Sequence, residues 1–368
     1  MLTDLFLEVK TVEELQDSAC YFPIQNGCYE VKPGMMPLSR NFGNQADSKL
    51  FQLDSNFHRY RQVKLAARKS CLSKYSQVCN YSNSVDKAVA QLIINRLTQE
   101  YPQYFNLVDD GEDLVFQCRL TKETLYLNKN FELQKYESAS EINCGVKRSR
   151  SVSVSVACPK DIRDSSTVSR AIGNRPTLLD ALATQVQSDI VVISRNEHGD
   201  NWMSAIHLCY PNHWAAEEKI GKDFATVHTP VAGIEKINQR SKAIVNTMIE
   251  RKPMVRFAWG LSTDTRLNHH PQPPNNLALK EWHGRNFDKT NPKLFLRIER
   301  QVIWGLPEYD AAIFTIRTYF RDCRIIKKDA VLKNKLISAI ESMTPDSLIY
   351  KGLQKSKDDI LTWLSSNQ

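Results

Sequence analysis

The run LFLRIERQVIW, residues 294–304, constrains this chain more than any other stretch. Period-two alternation puts Leu294, Leu296, Ile298, Val302 and Trp304 on one face of a strand, with Arg300 as the single exception. The other face carries Phe295, Arg297, Glu299, Gln301 and Ile303. If such a strand is covered on both sides, three consecutive polar side chains need partners inside the protein. Neighbouring strands offer them. AAIFTIRTY (311–319) carries Arg317 and Tyr319 on one face, and MVRFAWGLS (254–262) carries Arg256. From alternation alone, the row is either a charged cluster around a buried small-molecule or cofactor pocket, or a salt-bridge ladder across three strands.

The surrounding order predicts the sheet. Thr177 caps a helix running to about Ser188, with Asp180 as the acidic half of a capping box. A hairpin follows, IVVIS (190–194) and Trp202–Tyr210, then a short helix through Trp214 to His228. The stretch from Ile234 to Arg251 reads as an amphipathic helix ended by Pro253. Three strands come next, at 254–262, 294–304 and 311–319, the last two joined by LPEYD. Two strands, helices and three strands is the order of a PAS-like antiparallel sheet. The polar loop 263–292 reads as a lid or a wrapped excursion.

Upstream, 54–74 reads as a helix burying Phe57, Tyr60, Leu65 and Leu72. A second helix spans 85–101 behind Ser84, and short strands fill 113–137. Residues 138–175, with KRSRSVSVSV, read as an exposed loop or edge strand and hold the boundary between halves. The expected fold is α+β. A mainly helical segment with short strands (1–150) is fused to a PAS-like antiparallel sheet with flanking helices (151–322), and a solvated tail of two helices (323–368) follows.

Composition excludes several classes. Basic residues number 49 and acidic 41, a mild and dispersed +8 with no basic stripe or RNP-like aromatic motif, which argues against nucleic acid. No apolar run approaches the ~18–20 residues that span a bilayer. Nine cysteines at irregular spacing, without a C-x-x-C pair, read as reduced thiols of a cytoplasmic protein. G-x-G-x-x-G, Walker and G-x-S-x-G signatures are absent.

Ligand-bearing candidates are few. His228, in DFATVHTPVAG, reads as a capping or hydrogen-bonding residue or as a metal or haem ligand. His207 and His213 flank CYPNHW ahead of Glu217 and Glu218, without a helical metal-binding spacing. Cys209 is either a buried thiol or a thiolate ligand, and His269, His270 and His283 read as surface residues of the polar loop.

The segments TLLDALATQVQSDIVVI, HLCYPNHWAAEEKIGKDFATVHTPVAG, VRFAWGL, LFLRIERQVIWGLP and AAIFTIRTY, in this order and spacing, resemble the haem-dependent oxidative N-demethylase family. GMMPLSR, KLFQLDSNFHRYRQVKLAARK and INRLTQEYPQYFNL extend the resemblance over most of residues 30–322. The resemblance implies a b-type haem that activates O2, oxidises the N-methyl group of a small secondary or N-methylated amine and releases formaldehyde. It also implies electrons from NADPH through separate flavin and iron–sulfur reductase proteins. The family's H-x-P-V motif falls at His228, the implied proximal ligand. Its arginine before the long loop falls at Arg256, its R-x-E-R-Q motif at Arg297, Glu299, Arg300 and Gln301, and its F-T-I-R-T-Y motif at Arg317 and Tyr319. Glu299 and Arg256 are thereby implied on the distal, catalytic side, and Arg297, Arg317, Tyr319 and Trp214 as haem contacts. Asn212 and His213 stand where the family commonly has Ser and Arg. The alternative reading is a haem or small-ligand sensor that binds without turnover.

Overall fold

A computed structural model describes residues 3–138, 177–274 and 277–366. Its strands are β1 (Met36–Pro37), β2 (Ser76–Val78), β3 (Phe105–Asp109), β4 (Leu114–Cys118), β5 (Glu123–Leu127), β6 (Leu133–Glu137), β7 (Ser188–Arg195), β8 (Asn201–His207), β9 (Met254–Ser262), β10 (Phe295–Leu306) and β11 (Ala311–Asp322). β3 to β6 form a four-stranded meander, and the other seven make one antiparallel sheet in the order β1-β9-β10-β11-β7-β8-β2. The fold is α+β. The segment KRSRSVSVSV lies outside the described residues, as does the boundary expected around it.

Register decides which side chains meet. Leu306 faces Ala311 across the four-residue connection 307–310, where Asp310 adopts a left-handed φ of 47°. Even-numbered residues of β10 therefore share a face with odd-numbered residues of β11: Ile298 stands opposite Tyr319 and Arg300 opposite Arg317. Arg297, Glu299 and Gln301 lie on the other face.

The Arg300 face carries the larger core. Val302, Ile313, Ile190 and Val192 pack with α2 (Asn83–Glu100) and α3 (Leu178–Ala183). Val85, Val89, Ile93 and Leu97 recur on one side of α2, and each such burial stabilises by about 1.5–3 kcal/mol. The N-cap of α2 is Ser82 rather than Ser84, its side chain accepting from Val85 N. On α1 (Phe57–Tyr75) the buried stripe is Phe57, Tyr60, Val63, Lys64 and Ala67; Leu65 falls on the opposite side and is exposed. α1 passes the open edge of β11, where Tyr60 Oη donates to Thr318 O at 2.6 Å.

The Glu299 face is covered by α4 (Phe224–His228), α5 (Glu235–Asn238) and α6 (Ser241–Glu250). The expected single helix over 234–251 is thus two. Val245, Met248 and Ile249 pack on Val191, Ile193, Ile303 and Ala312. Helix α3 stops at Ala183, because Ser188 is already paired with Arg317. The long loop contains α7 (Leu279–Trp282) and wraps inward: His269 and His270 are buried, contrary to the surface position expected of them.

The tail differs most from expectation. It forms four helices, α8 (Cys323–Lys328), α9 (Ala330–Glu341), α10 (Pro345–Lys351) and α11 (Lys357–Ser365). Leu336, Ile340, Ile360 and Leu364 join the core under Leu296, Ile298 and Tyr319. Seven lysines are interspersed among the leucines and isoleucines of this region and mask the apolar stripe that the packing uses.

Candidate functional site

Pairing of β9 with β10 sets Arg256 opposite Gln301, Ala258 opposite Glu299 and Gly260 opposite Arg297. Paired positions share a face, so Arg256, Gln301, Glu299 and Arg297 form one polar group. Glu299 Oε1 accepts from Asn212 Nδ2 at 3.4 Å and Oε2 from Gln301 Nε2 at 3.0 Å, with Arg297 Nε 3.8 Å from Oε1. Arg297 directs its remaining donors to the carbonyls of Tyr210 (2.8 Å), Leu267 (3.2 Å) and Arg266 (3.4 Å). Its work is to tie the loop before Asn212 to the sheet, and so to hold Glu299.

The helical side contributes His228, the last residue of α4, a helix capped by Asp223 through Thr226 N at 2.7 Å. Nδ1 of His228 lies 2.7 Å from Phe224 O. A carbonyl only accepts, so Nδ1 carries the proton and Nε2 the lone pair. Nε2 has no hydrogen-bond partner among the described residues. Burial pushes the ring's pKa down to about 4, the Lys219 and Arg256 charges adding to it against the Phe224 bond. Trp214 and Val227 pack against the cluster that includes Phe224, and the Lys219 ammonium lies 5.4 Å over the Trp214 ring.

Across the free edge of β9 stands Lys351, at the end of α10, with Nζ donating to Trp259 O at 2.8 Å. Burial pulls its pKa down to about 8; Glu299 opposes that, while Arg285 and Arg256 add to it. Arg256 and Glu299 share the sheet face, and the Arg256 charge also acts on His228 and Lys351, so these groups together make the candidate cleft. Three cations, Arg256, Arg297 and Lys351, face a single carboxylate there. Nε of Arg256 and of Arg285 are buried without a partner, and Arg256 Nη2 reaches only Lys32 O at 3.3 Å.

Arg317 and Tyr319 do not border this cleft. On the Arg300 face, Arg317 pairs with Asp54 at 2.7 Å and lies against the rings of Tyr60 (4.0 Å) and Tyr319 (4.4 Å). Tyr319 Oη bonds Gln52. Arg300 is likewise absorbed there, donating to the carbonyls of Asp47 and Lys49, both at 2.8 Å.

Other titratable groups cluster behind the cleft. His213, in a left-handed φ of 62°, stacks on His269 at 5.4 Å and meets His283 edge-on at 5.4 Å. His269 Nε2 is 2.9 Å from Asp264 Oδ1. Burial, with Arg285 beside it, holds the His213 ring neutral. Cys209 is buried and its thiol is pushed far up, which suits a packing residue rather than a thiolate ligand. Among the described residues, no group of three or more His, Cys, Asp or Glu side chains is arranged to hold a metal ion by itself.

Residues 42–361 match the family described as haem-dependent oxidative N-demethylase, alpha subunit-like. The chain belongs to that family. An alpha subunit-like member of an oxidative N-demethylase family uses haem and has a partner subunit. The donor set suits a haem: the neutral His228 imidazole would hold the iron, and the excess of cations over carboxylates would suit the two propionates. Among the described residues of this N-demethylase-family chain, no helix is long and apolar enough to cross a membrane. Sequence reasoning missed Lys351 and Arg285. Both lie outside the strands whose alternation pointed to the polar row, so that pattern could not reach them.

Proposed function

We propose that this protein binds one b-type haem through His228 Nε2 and catalyses oxidative N-demethylation of a small secondary or N-methylated amine. O2 and electrons from NADPH, delivered by a separate flavin and iron–sulfur reductase, complete the reaction, and formaldehyde is released. The observation that carries this reading is the His228 ring: its Nδ1–H is fixed on Phe224 O, its Nε2 has no hydrogen-bond partner among the described residues, and the Arg256 charge acts on it.

When bound, the haem supplies O2 activation and the oxidation of the N-methyl carbon. The chain's residues have separate tasks. Phe224 O fixes the His228 tautomer and makes the imidazole a better donor. Arg256 and Lys351 would hold the propionates by charge-assisted hydrogen bonds, a task for Arg256 in place of the distal, catalytic one that the resemblance implied. Glu299, steadied by Asn212 and Gln301, keeps lone pairs on Oε1 and Oε2 with which to orient a substrate ammonium and to move a proton. Arg297 is a positioning residue, and Trp214 with Val227 excludes water on the helical side.

The test is a haemin titration followed by visible spectroscopy, with wild type expected to give a sharp Soret band at stoichiometric haem. His228→Ala should lose that band while keeping its circular dichroism. Glu299→Gln should keep the band and lose amine-dependent formaldehyde release when a competent reductase is supplied. A full Soret band in His228→Ala sinks the ligand assignment. Haem uptake by wild type without turnover of any small N-methylated amine replaces the enzyme by a sensor.

A further inference from the structure

A groove of about 640 Å3 lies between the 280–289 loop and helices α10 and α11, behind Arg285 and apart from the cleft. That size suits one small molecule. Its charge is unbalanced. Lys289 is matched by Asp359 at 3.6 Å, and Asp288 is turned onto its own loop, accepting from Thr290 N at 2.8 Å and Thr290 Oγ1 at 2.7 Å. Lys280, Arg285 and Lys355 line the same groove with no carboxylate partner among the described residues. Arg285 Nε is also buried and unsatisfied, which an anion within the groove would remedy. Two apolar side chains also line the groove: Phe287, whose ring lies 5.8 Å from that of Trp363, and Ile349, which is 56% exposed. A large exposed aliphatic, an aromatic ring and three cations without carboxylate partners in one groove make an amphipathic lining, suited to a ligand with a planar body and a polyanionic end.

We infer that this groove binds a nucleoside phosphate, with the phosphates on Lys280, Arg285 and Lys355 and the base against Phe287 and Ile349. The site goes beyond the haem cleft and needs no haem to be tested.

Isothermal titration of the full chain at low ionic strength, with ADP, pyrophosphate and citrate as probes, decides the matter. ADP should bind saturably. The exposed double variant Lys280→Glu/Lys355→Glu should weaken it by about tenfold or more, at unchanged circular dichroism and haem uptake. Phe287→Ala should weaken ADP and leave pyrophosphate unchanged. Absence of saturable ADP binding overturns the site, as does equal affinity in the charge-reversed variant. Citrate or pyrophosphate binding as tightly as ADP, with Phe287→Ala silent, overturns the nucleoside assignment.

Discussion

Asp54→Ala tests whether Arg317 is structural. The guanidinium is 1% exposed and its carboxylate partner 4% exposed, at 2.7 Å. Removing one partner of such a pair leaves an uncompensated buried charge, at a cost of about 3–5 kcal/mol. Two terms act around that figure. Arg317 keeps the carbonyls of Gln52 (3.3 Å) and Thr318 (2.6 Å) and the faces of two tyrosines, which soften the loss. Asp54 also accepts from Gln187 Nε2 at 2.8 Å, Asn56 N at 3.0 Å and Ser18 Oγ at 2.8 Å, which deepens it. The expected cost is therefore about 4 kcal/mol, a large share of the ~5–15 kcal/mol of a folded protein. Urea unfolding of the haem-free protein, followed by tryptophan fluorescence, reads it as a lower midpoint at unchanged slope. Under conditions where the variant is folded, haemin uptake should equal that of wild type. A cost below about 1 kcal/mol, or loss of haem uptake at unchanged stability, would refute the reasoning and return Arg317 to the cofactor.

Two further outcomes follow from the same packing. Gly305 on β10 lies so close to α6 that an added Cβ would overlap the Ile249 carbonyl, so Gly305→Ala should lower stability by about 3 kcal/mol or more, read as a fall in soluble yield and melting temperature. His269 has its pKa lowered to about 4, first by burial and against the pull of Asp264. Unfolded chain takes up that proton near pH 6.5 and the folded protein does not until about pH 4, so this residue's contribution falls as pH drops through the window, by on the order of 3 kcal/mol. Asp189, raised to about 7 by burial, works in the opposite direction, so the comparison is with His269→Gln: its stability curve should be flatter than wild type between pH 6.5 and 4, and parallel curves would refute the assignment.

The strand pattern made the sheet legible because period-two alternation is a local property. Arg297, Glu299 and Gln301 were placed correctly on one face for that reason. Arg317 and Tyr319 were grouped with them because both strands carry arginines, and pairing, not alternation, decides which arginines meet. The signal was present: the connection between Leu306 and Ala311 pairs even with odd positions, which sends Arg317 to the Arg300 face. The cover on that face was not readable. Residues 47–54 satisfy Arg300 and Arg317 largely through backbone carbonyls, and a carbonyl leaves no trace in the choice of amino acid. His228 stood out by its setting before Pro230, yet its hydrogen bond to Phe224 required the helical turn to be seen.

The helices after β11 give the protein an order of assembly. Residues 330–365 leave the ribosome after the entire sheet, and until they do, Leu296, Ile298 and Tyr319 lack their cover and the free edge of β9 lacks Lys351. A nascent chain can thus set the register of β9, β10 and β11 before the helices that cover their Arg300 face exist.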